Sequence, residues 1–216
     1  MFQALNDSNV KPSRMTLTDQ FRVFFKGILD PLGKFFNRLG LMPNTMTILG
    51  LVGNVVGAVL LSQGQFVAGG ILILIMGPVD ALDGTMARLR GMTGSFGAFV
   101  DSVTDRYSEL VIFAGLLYYY LVQANYLAAM LVYFAAAGSV LVSYVRSRGQ
   151  SLGWDTKVGI LTRMERYLVL APALVLSFIS PVIPIIGVAI IAIFGNITAI
   201  QRIIDVRRQA HIDNQL

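Results

Sequence analysis

Six long apolar segments follow one another along most of the chain, separated by short polar connections. They lie at about 44–63, 67–88, 95–120, 125–146, 158–179 and 182–204. Each is close to the roughly 20 residues that an α-helix needs to cross a bilayer. The pattern therefore predicts an all-α membrane protein with six transmembrane helices.

A further helical pattern, over residues 16–40, precedes the first apolar segment. Its apolar residues recur at three- and four-residue steps between basic ones, and they are Phe21, Phe24, Phe25, Ile28, Leu32, Phe35, Phe36 and Leu39. This pattern is typical of an amphipathic juxtamembrane helix at a lipid interface, and packing on the protein's own surface is the alternative. We expect Pro31 to kink this helix.

These patterns divide the chain into four parts. Residues 1–15 form a polar tail, 16–40 the interfacial helix, 41–209 the six-helix domain and 210–216 a C-terminal tail. The first part lacks the apolar stretch of a signal peptide, so it does not match a cleaved one.

The basic residues are distributed unevenly between the two ends of the predicted helices. The composition, 55% hydrophobic and 13% charged, is too apolar for a soluble domain, so a net charge of +5 does not indicate nucleic acid. The connections at 62–66, 123–126 and 177–184 contain no Lys or Arg, and all 17 basic residues lie towards the other side. This is the positive-inside pattern, which predicts that both termini are cytoplasmic.

Four aspartates lie in the predicted second and third spans. Asp80 and Asp83 are three residues apart, and Asp101 and Asp105 are four apart, so each pair shares a helix face. Neighbouring antiparallel helices would bring the pairs together, and a divalent cation would keep them ionised. Because the chain has no cysteine and the ligands are oxygens, Mg²⁺ or Mn²⁺ is favoured over Zn²⁺.

Glycines surround these aspartates and leave space for a ligand. Gly84 follows Asp83 directly, while Gly94 and Gly97 lie at the start of the third span. Backbone at such positions can approach a phosphate closely. Arg88, one turn after Gly84, can receive phosphate oxygens, or it serves as a topology-setting arginine.

Together these residues form a motif that resembles the signature of the CDP-alcohol phosphotransferases. The motif reads Asp80-x2-Asp83-Gly84-x2-Ala87-Arg88-x8-Gly97-x3-Asp101-x3-Asp105. Its eight fixed residues at fixed spacings match without a departure, and the six spans and preceding helix extend the resemblance to most of the chain.

The resemblance implies a two-metal active site. In it Asp80, Asp83 and Asp101 hold the ions, Asp105 joins them and acts as general base, and the CDP diphosphate bridges the ions. The residues that the resemblance places around the CDP-lipid are Asn44, Thr47, Asp80, Gly84, Ala87, Arg88, Thr93, Gly94 and Ser95.

A cluster of cations between the fourth and fifth spans bears on the second substrate. Its five members are Arg146, Arg148, Lys157, Arg163 and Arg166. They favour an acceptor that is itself phosphorylated, although positive-inside bias accounts for some of them. The segments resemble the prokaryotic branch that uses inositol phosphate, with either acyl or archaeal ether lipids.

Carried over residue by residue, this resemblance implies that Arg146 and Arg166 hold the acceptor phosphate. The further candidates are Ser143, Arg148, Arg163 and Arg202. The expected reaction transfers a phosphatidyl group from CDP-diacylglycerol to inositol phosphate. Glycerol 3-phosphate is the alternative acceptor.

A cation transporter is the alternative from another class, because it too would have intramembrane carboxylates. The aspartates, however, lie towards one face, and the opposite connections are almost purely apolar, which favours the enzyme. We expect membrane lipids as surroundings and a homodimer as a possible assembly, since relatives are commonly dimers and small-residue faces permit one.

Overall fold

The fold is a bundle of α-helices. A computed structural model describes residues 17–91 and 94–213. Across these ranges there is no strand, and the helices are α1 Leu17–Arg38, α2 Pro43–Ser62, α3 Phe66–Leu89, α4 Ser95–Val122, α5 Tyr126–Ser151, α6 Arg163–Val175 and α7 Val182–Ile212. The all-helical prediction is confirmed, whereas the predicted tail at 1–15 lies outside the described residues.

Four of the helices, α2, α3, α5 and α7, are long and apolar enough to cross a membrane. They keep large apolar side chains exposed on their outer faces, among them Ile48, Ile75, Leu127 and Ile200. Water opposes such exposure and lipid chains favour it. The chain is therefore a membrane protein.

The helix in the predicted fifth span begins later than expected. It starts at Arg163, because the residues before it form a loop in which Gly159 has a φ of +136°. The amides of Ile160 and Leu161 donate to Thr198 Oγ1 on α7, at 3.2 and 3.0 Å. Apolar periodicity does not distinguish such a loop from a helical turn.

Glycines let α3 approach its neighbours closely. Gly57 of α2 faces Gly69 of α3, and Gly50 lies against Asp80. Further along α3, Gly77 lies against Tyr167 of α6. The predicted small-residue faces thus serve contacts between helices of one protomer.

Helix α1 packs along α3. Leu29 is buried with Leu82 and Met86, which are both on α3. The connection to α2 is held by Arg90, whose Nη2 donates to the Leu41 carbonyl oxygen at 2.6 Å. The side chains that would form the first half of the predicted amphipathic face lie outside the described residues: Phe21, Phe24, Phe25 and Ile28.

Candidate active site

Three aspartates from two helices converge where α3 ends and α4 begins. Asp80 lies on α3, Asp101 and Asp105 lie on α4, and their nearest carboxylate oxygens are within 4.8 Å of one another. Asp80 and Asp105 are buried, whereas Asp101 is partly exposed. Clustered carboxylate oxygens of this kind are the ligands that a hard divalent cation prefers.

The fourth aspartate of the signature points to a different partner. Thr47 of α2 donates its hydroxyl to Asp83 Oδ2 at 2.5 Å, and the Gly84 amide donates to Asp83 Oδ1. The predicted metal role of Asp83 stays a prediction. Thr47, predicted on the nucleotide side, is here the residue that orients Asp83.

Two buried oxygens in the cluster indicate that its residues fit a metal ion. Asp80 Oδ1 and Asp105 Oδ1 are buried and have no hydrogen-bond partner among the described residues. A buried carboxylate oxygen without a partner is unfavourable, and a coordinated cation would satisfy it. The cluster also contains no nitrogen or sulfur donor, which fits Mg²⁺ or Mn²⁺.

Arg163 contacts two of these aspartates at once. Its Nη2 lies 2.6 Å from Asp80 Oδ2, and its Nη1 lies 2.6 Å from Asp105 Oδ2. It is the first residue of α6, and its side chain is 47% exposed. The sequence predicted this arginine beside the acceptor phosphate, and the structure places it on the aspartates.

Open space lies on the glycine side of the cluster. A methyl group added at Gly84, Gly94 or Gly97 would meet no atom of the described residues within 4 Å. Arg88 is exposed, and its Nη2 donates to Thr85 Oγ1 at 3.0 Å.

The other residues predicted for the CDP-lipid are placed as follows. Asn44 and Ser95 are exposed, Ala87 is partly buried, and Thr93 lies outside the described residues. Of the described members, Asn44 and Ser95 are therefore accessible to a ligand.

Two of the predicted acceptor arginines are buried and already bonded. Arg166 is 2% exposed, and its Nε and Nη2 donate to the two oxygens of Glu109 at 2.7 and 3.0 Å. Arg202 is 3% exposed and donates to the carbonyl oxygens of Val158 and Val142, at 3.0 and 2.8 Å. Each ties together separate segments of the bundle, and their predicted contact with a phosphate stays a prediction.

Arg146 is held more loosely. Its Nε lies 3.9 Å from Oδ1 of Asp155, a residue of the loop between α5 and α6. The same Nε lacks a hydrogen-bond partner among the described residues. Hydrogen bonds from Gln150 and Lys157 hold the pKa of Asp155 below its usual range, so this carboxylate stays ionised beside Arg146.

The two remaining acceptor candidates lie near the same end of α5. Ser143 is partly buried, and Arg148 is exposed with its Nη1 3.4 Å from Ser151 Oγ.

The partners of these arginines were not predicted from the sequence. Glu109 is a charged residue within a predicted span, four residues after Asp105, yet nothing in the sequence pairs it with Arg166. Asp155 lies in a loop, and no motif or periodicity in the sequence indicates a partner for it. A cavity of about 60 Å³ at the aspartates is lined by Asp80, Asp105, Ser108, Glu109 and Tyr167 among others.

The comparisons with known proteins agree with this geometry. Residues 40–199 match the family model described as CDP-alcohol phosphatidyltransferase. This match covers most of the chain, and the chain belongs to that family.

Two curated relatives and one enzyme of known structure are similar to this chain over most of their lengths. A phosphatidylinositol phosphate synthase from Streptomyces avermitilis is 36% identical, over 88% of this chain and 82% of the relative. An archaetidylinositol phosphate synthase from Methanothermobacter thermautotrophicus is 31% identical, over 88% and 93%.

The solved enzyme is the phosphatidylinositol phosphate synthase of Mycobacterium tuberculosis. Its crystal structure with CDP-DAG bound has a TM-score of 0.78 and 30% identity, covering 83% of this chain and 93% of that one. A second crystal structure of it, in complex with manganese and citrate, has a TM-score of 0.78 and 29% identity, over 82% and 88%.

Proposed function

We propose that the chain transfers the phosphatidyl group of CDP-diacylglycerol to inositol phosphate, giving phosphatidylinositol phosphate and CMP. The observation that carries this proposal is the convergence of Asp80, Asp101 and Asp105 beside an open, glycine-lined surface. The names of the relatives, phosphatidylinositol phosphate synthase and archaetidylinositol phosphate synthase, support the choice of acceptor.

The residues divide into metal ligands and a base. Asp80, Asp83 and Asp101 hold two Mg²⁺ or Mn²⁺ ions, and Asp105 joins them. When bound, the ions neutralise the diphosphate and the charge that develops on the departing CMP. The acceptor hydroxyl attacks the β-phosphorus, the bond from that phosphorus to the CMP oxygen breaks, and Asp105 accepts the hydroxyl proton.

Arginines near the α5–α6 loop bind the phosphate of the acceptor. Arg146 is the strongest candidate, because the N–H of its Nε donates no hydrogen bond among the described residues. Its ion-pair partner Asp155 is 3.9 Å away, which is too far for a hydrogen bond. Arg166 is more buried than Arg146. Two of its five N–H groups donate to Glu109, and further N–H groups of the guanidinium can donate to a phosphate. Glycerol 3-phosphate would meet the same arginines, and it is therefore the alternative acceptor.

All six helices from α2 to α7 span the membrane in this proposal. Helix α4 has 28 residues, about 42 Å at 1.5 Å per residue, which exceeds the roughly 30 Å of a bilayer core. It begins at the aspartate site, and a short turn at 123–125 joins its other end to α5, so it has to cross. Helix α6 is shorter, with 13 residues followed by the 3-10 turn Leu176–Phe178, and it leads from the same site to α7.

The positive-inside distribution of basic residues supports a site and both termini in the cytoplasm. On the same side, α1 lies along the membrane surface next to α3. The exposed Phe35 of α1, and Leu39 directly after the helix, enter the lipid boundary.

An acceptor screen tests the proposed reaction. Purified protein, CDP-diacylglycerol and Mg²⁺ are incubated with radiolabelled inositol phosphate, glycerol 3-phosphate or free inositol, and the lipid product is separated. We expect product mainly from inositol phosphate, none in excess EDTA and none from Asp101→Asn. Preferred use of glycerol 3-phosphate would establish the alternative, and full activity in EDTA would remove the metal from the reaction.

A further inference from the structure

A positively charged side chain already lies among the carboxylates that fit a divalent ion. The Arg163 guanidinium reaches Asp80 of α3 with one arm and Asp105 of α4 with the other, each at 2.6 Å. A planar guanidinium is suited to such two-armed contact, and charge-assisted hydrogen bonds of this length are strong ones.

The Arg163 guanidinium neutralises negative charge in the aspartate cluster, as a bound cation would. Asp80, Asp101 and Asp105 lie so close together that their negative charges repel one another. Arg163 offsets part of that charge and links the end of α3 to the start of α4. It does so through Asp80 Oδ2 and Asp105 Oδ2, and these oxygens belong to the carboxylates that a metal ion would coordinate.

We propose that Arg163 is a built-in competitor of the divalent ion, exchanging with it on Asp80 and Asp105. The inference rests on the proposed function in one respect, which is that the aspartates bind a metal. It adds that ion binding displaces the guanidinium, so that ion affinity is set partly by Arg163. The displaced arm is then free at the start of α6, on the side where the acceptor phosphate is proposed to bind.

The surrounding structure allows this exchange by movement of the side chain alone. Thr198 accepts hydrogen bonds from the backbone amides of Ile160 and Leu161, at 3.2 and 3.0 Å, just before α6. Arg166 Nη1 donates to the Leu161 carbonyl oxygen at 3.3 Å and so fixes the same turn. The Arg163 side chain itself is 47% exposed, which leaves it a route out of the cluster.

Arg106 provides a matched control for charge. It lies on α4 beside Asp105, and its guanidinium donates to the Ser102 carbonyl oxygen. Within the described residues it forms no ion pair with a carboxylate. Arg106→Gln therefore removes a nearby positive charge without removing a contact to the cluster.

The experiment measures Mn²⁺ binding to the full chain in detergent, by titration of the free-ion electron paramagnetic resonance signal. Arg163→Gln should bind Mn²⁺ about 10- to 100-fold more tightly than the unaltered protein, the size of one charge-assisted contact. Arg163→Lys keeps the charge but loses the planar guanidinium that contacts both aspartates. Its Mn²⁺ affinity should lie between those of the unaltered protein and Arg163→Gln. Arg106→Gln should change the affinity by less than about threefold.

Thermal unfolding gives a second readout that does not depend on activity. In EDTA, Arg163→Gln should melt at a lower temperature than the unaltered protein, because the carboxylates lose their counter-ion. Saturating Mn²⁺ should raise its melting temperature by more than it raises that of the unaltered protein.

The possible results separate this inference from the proposed function. If the unaltered protein binds Mn²⁺ and both Arg163 variants bind it no more tightly, competition is overturned while the metal site stands. If Arg106→Gln tightens binding as much as Arg163→Gln does, the contact itself has no role and the inference fails. If neither the unaltered protein nor any variant binds Mn²⁺, the proposed metal site fails as well.

Discussion

The two carboxylate oxygens of Asp105 have different surroundings. Oδ2 lies 2.6 Å from Arg163 Nη1, whereas Oδ1 is buried without a hydrogen-bond partner among the described residues. Oδ1 is thus able to bind a metal ion, and Oδ2 becomes able to accept a proton when the ion displaces Arg163 as proposed. This arrangement is consistent with a residue that both belongs to the ion site and acts as base.

Replacing Asp105 by asparagine should separate chemistry from donor binding. Asp105→Asn keeps the size of the side chain but cannot accept the acceptor proton, so we expect turnover to fall by roughly 10²- to 10⁴-fold. Affinity for the CDP-lipid should be largely retained. Single-turnover rates and CDP-diacylglycerol binding measure the two effects, with the surface variant Asp213→Asn as control. A turnover rate near normal would remove Asp105 from the role of base.

Replacing Arg146 should affect only the acceptor. Arg146→Ala loses a charge-assisted contact worth roughly 1.5–3 kcal/mol, which should raise KM for inositol phosphate about 10- to 100-fold. KM for the CDP-lipid should barely move, and Arg146→Lys should recover part of the loss because an ammonium lacks the planar fork.

Steady-state kinetics with each substrate varied in turn measure this prediction, with Arg207→Ala as control. Normal acceptor KM in Arg146→Ala would exclude this arginine from the pocket.

The aspartates were predictable from the sequence because their helical spacing fixes which face they share. Asp101 and Asp105 are separated by about one helical turn, so the helix by itself places them side by side. The position of Arg163 was not predictable in the same way. Its contacts with Asp80 and Asp105 depend on how α6 packs against α3 and α4, and sequence spacing carries no information about that packing.

Between elements, a buried ion pair joins α4 to α6. Arg166 and Glu109 form two hydrogen bonds, at 2.7 and 3.0 Å, and their side chains are 2% and 17% exposed. Removing one member of such a pair leaves an uncompensated buried charge, which is typically more damaging than removing both.

The stability of single and double variants should follow that rule. Glu109→Gln or Arg166→Met should each reduce the free energy of unfolding by about 3–5 kcal/mol. The double variant Glu109→Met with Arg166→Met should recover much of that loss, as apolar packing replaces both charges. Thermal unfolding in detergent measures the series.

The double variant also separates a structural role of Arg166 from its predicted phosphate contact. If it folds stably yet keeps a raised KM for inositol phosphate, Arg166 contacts the acceptor. If stability and acceptor KM both recover, Arg166 acts only by holding α6 to α4. A double variant less stable than either single one would contradict the buried-pair argument.

The boundaries of α6 show where the sequence pattern was insufficient. The apolar residues Val158, Ile160 and Leu161 continue the periodicity of the segment, yet they lie in a loop. Gly159 permits its φ of +136°, and Thr198 on a distant helix accepts the amides that a helix would have used. The partner that stabilises the loop comes from α7, so a local pattern does not reveal it.

Across the whole molecule, charge and apolar surface are arranged along one axis. The aspartate site and the basic residues lie at one end of the helices, and the connections at the other end lack Lys and Arg. Exposed apolar side chains occupy the faces between the two ends. In the proposed function, such a distribution would position a lipid-linked donor in the bilayer and a water-soluble acceptor at one membrane surface.

The absence of cysteine from the chain makes this orientation directly measurable. Single cysteines are introduced at Gln63, Gln123 or Ser180, in the connections without basic residues, and at Ser151 or His211 near the aspartate end. A membrane-impermeant maleimide should label the first group in intact cells, and the second only after permeabilisation.

Each variant is first checked for transfer activity, so that labelling is recorded on folded protein. Labelling of Gln63 and Gln123 without Ser180 would show that α6 and α7 do not cross as proposed, because these two helices connect the aspartate end to that position. The reverse pattern, with Ser151 and His211 labelled from outside, would overturn the cytoplasmic site. Since inositol phosphate does not cross a bilayer unaided, that result would also leave the enzyme separated from its proposed acceptor.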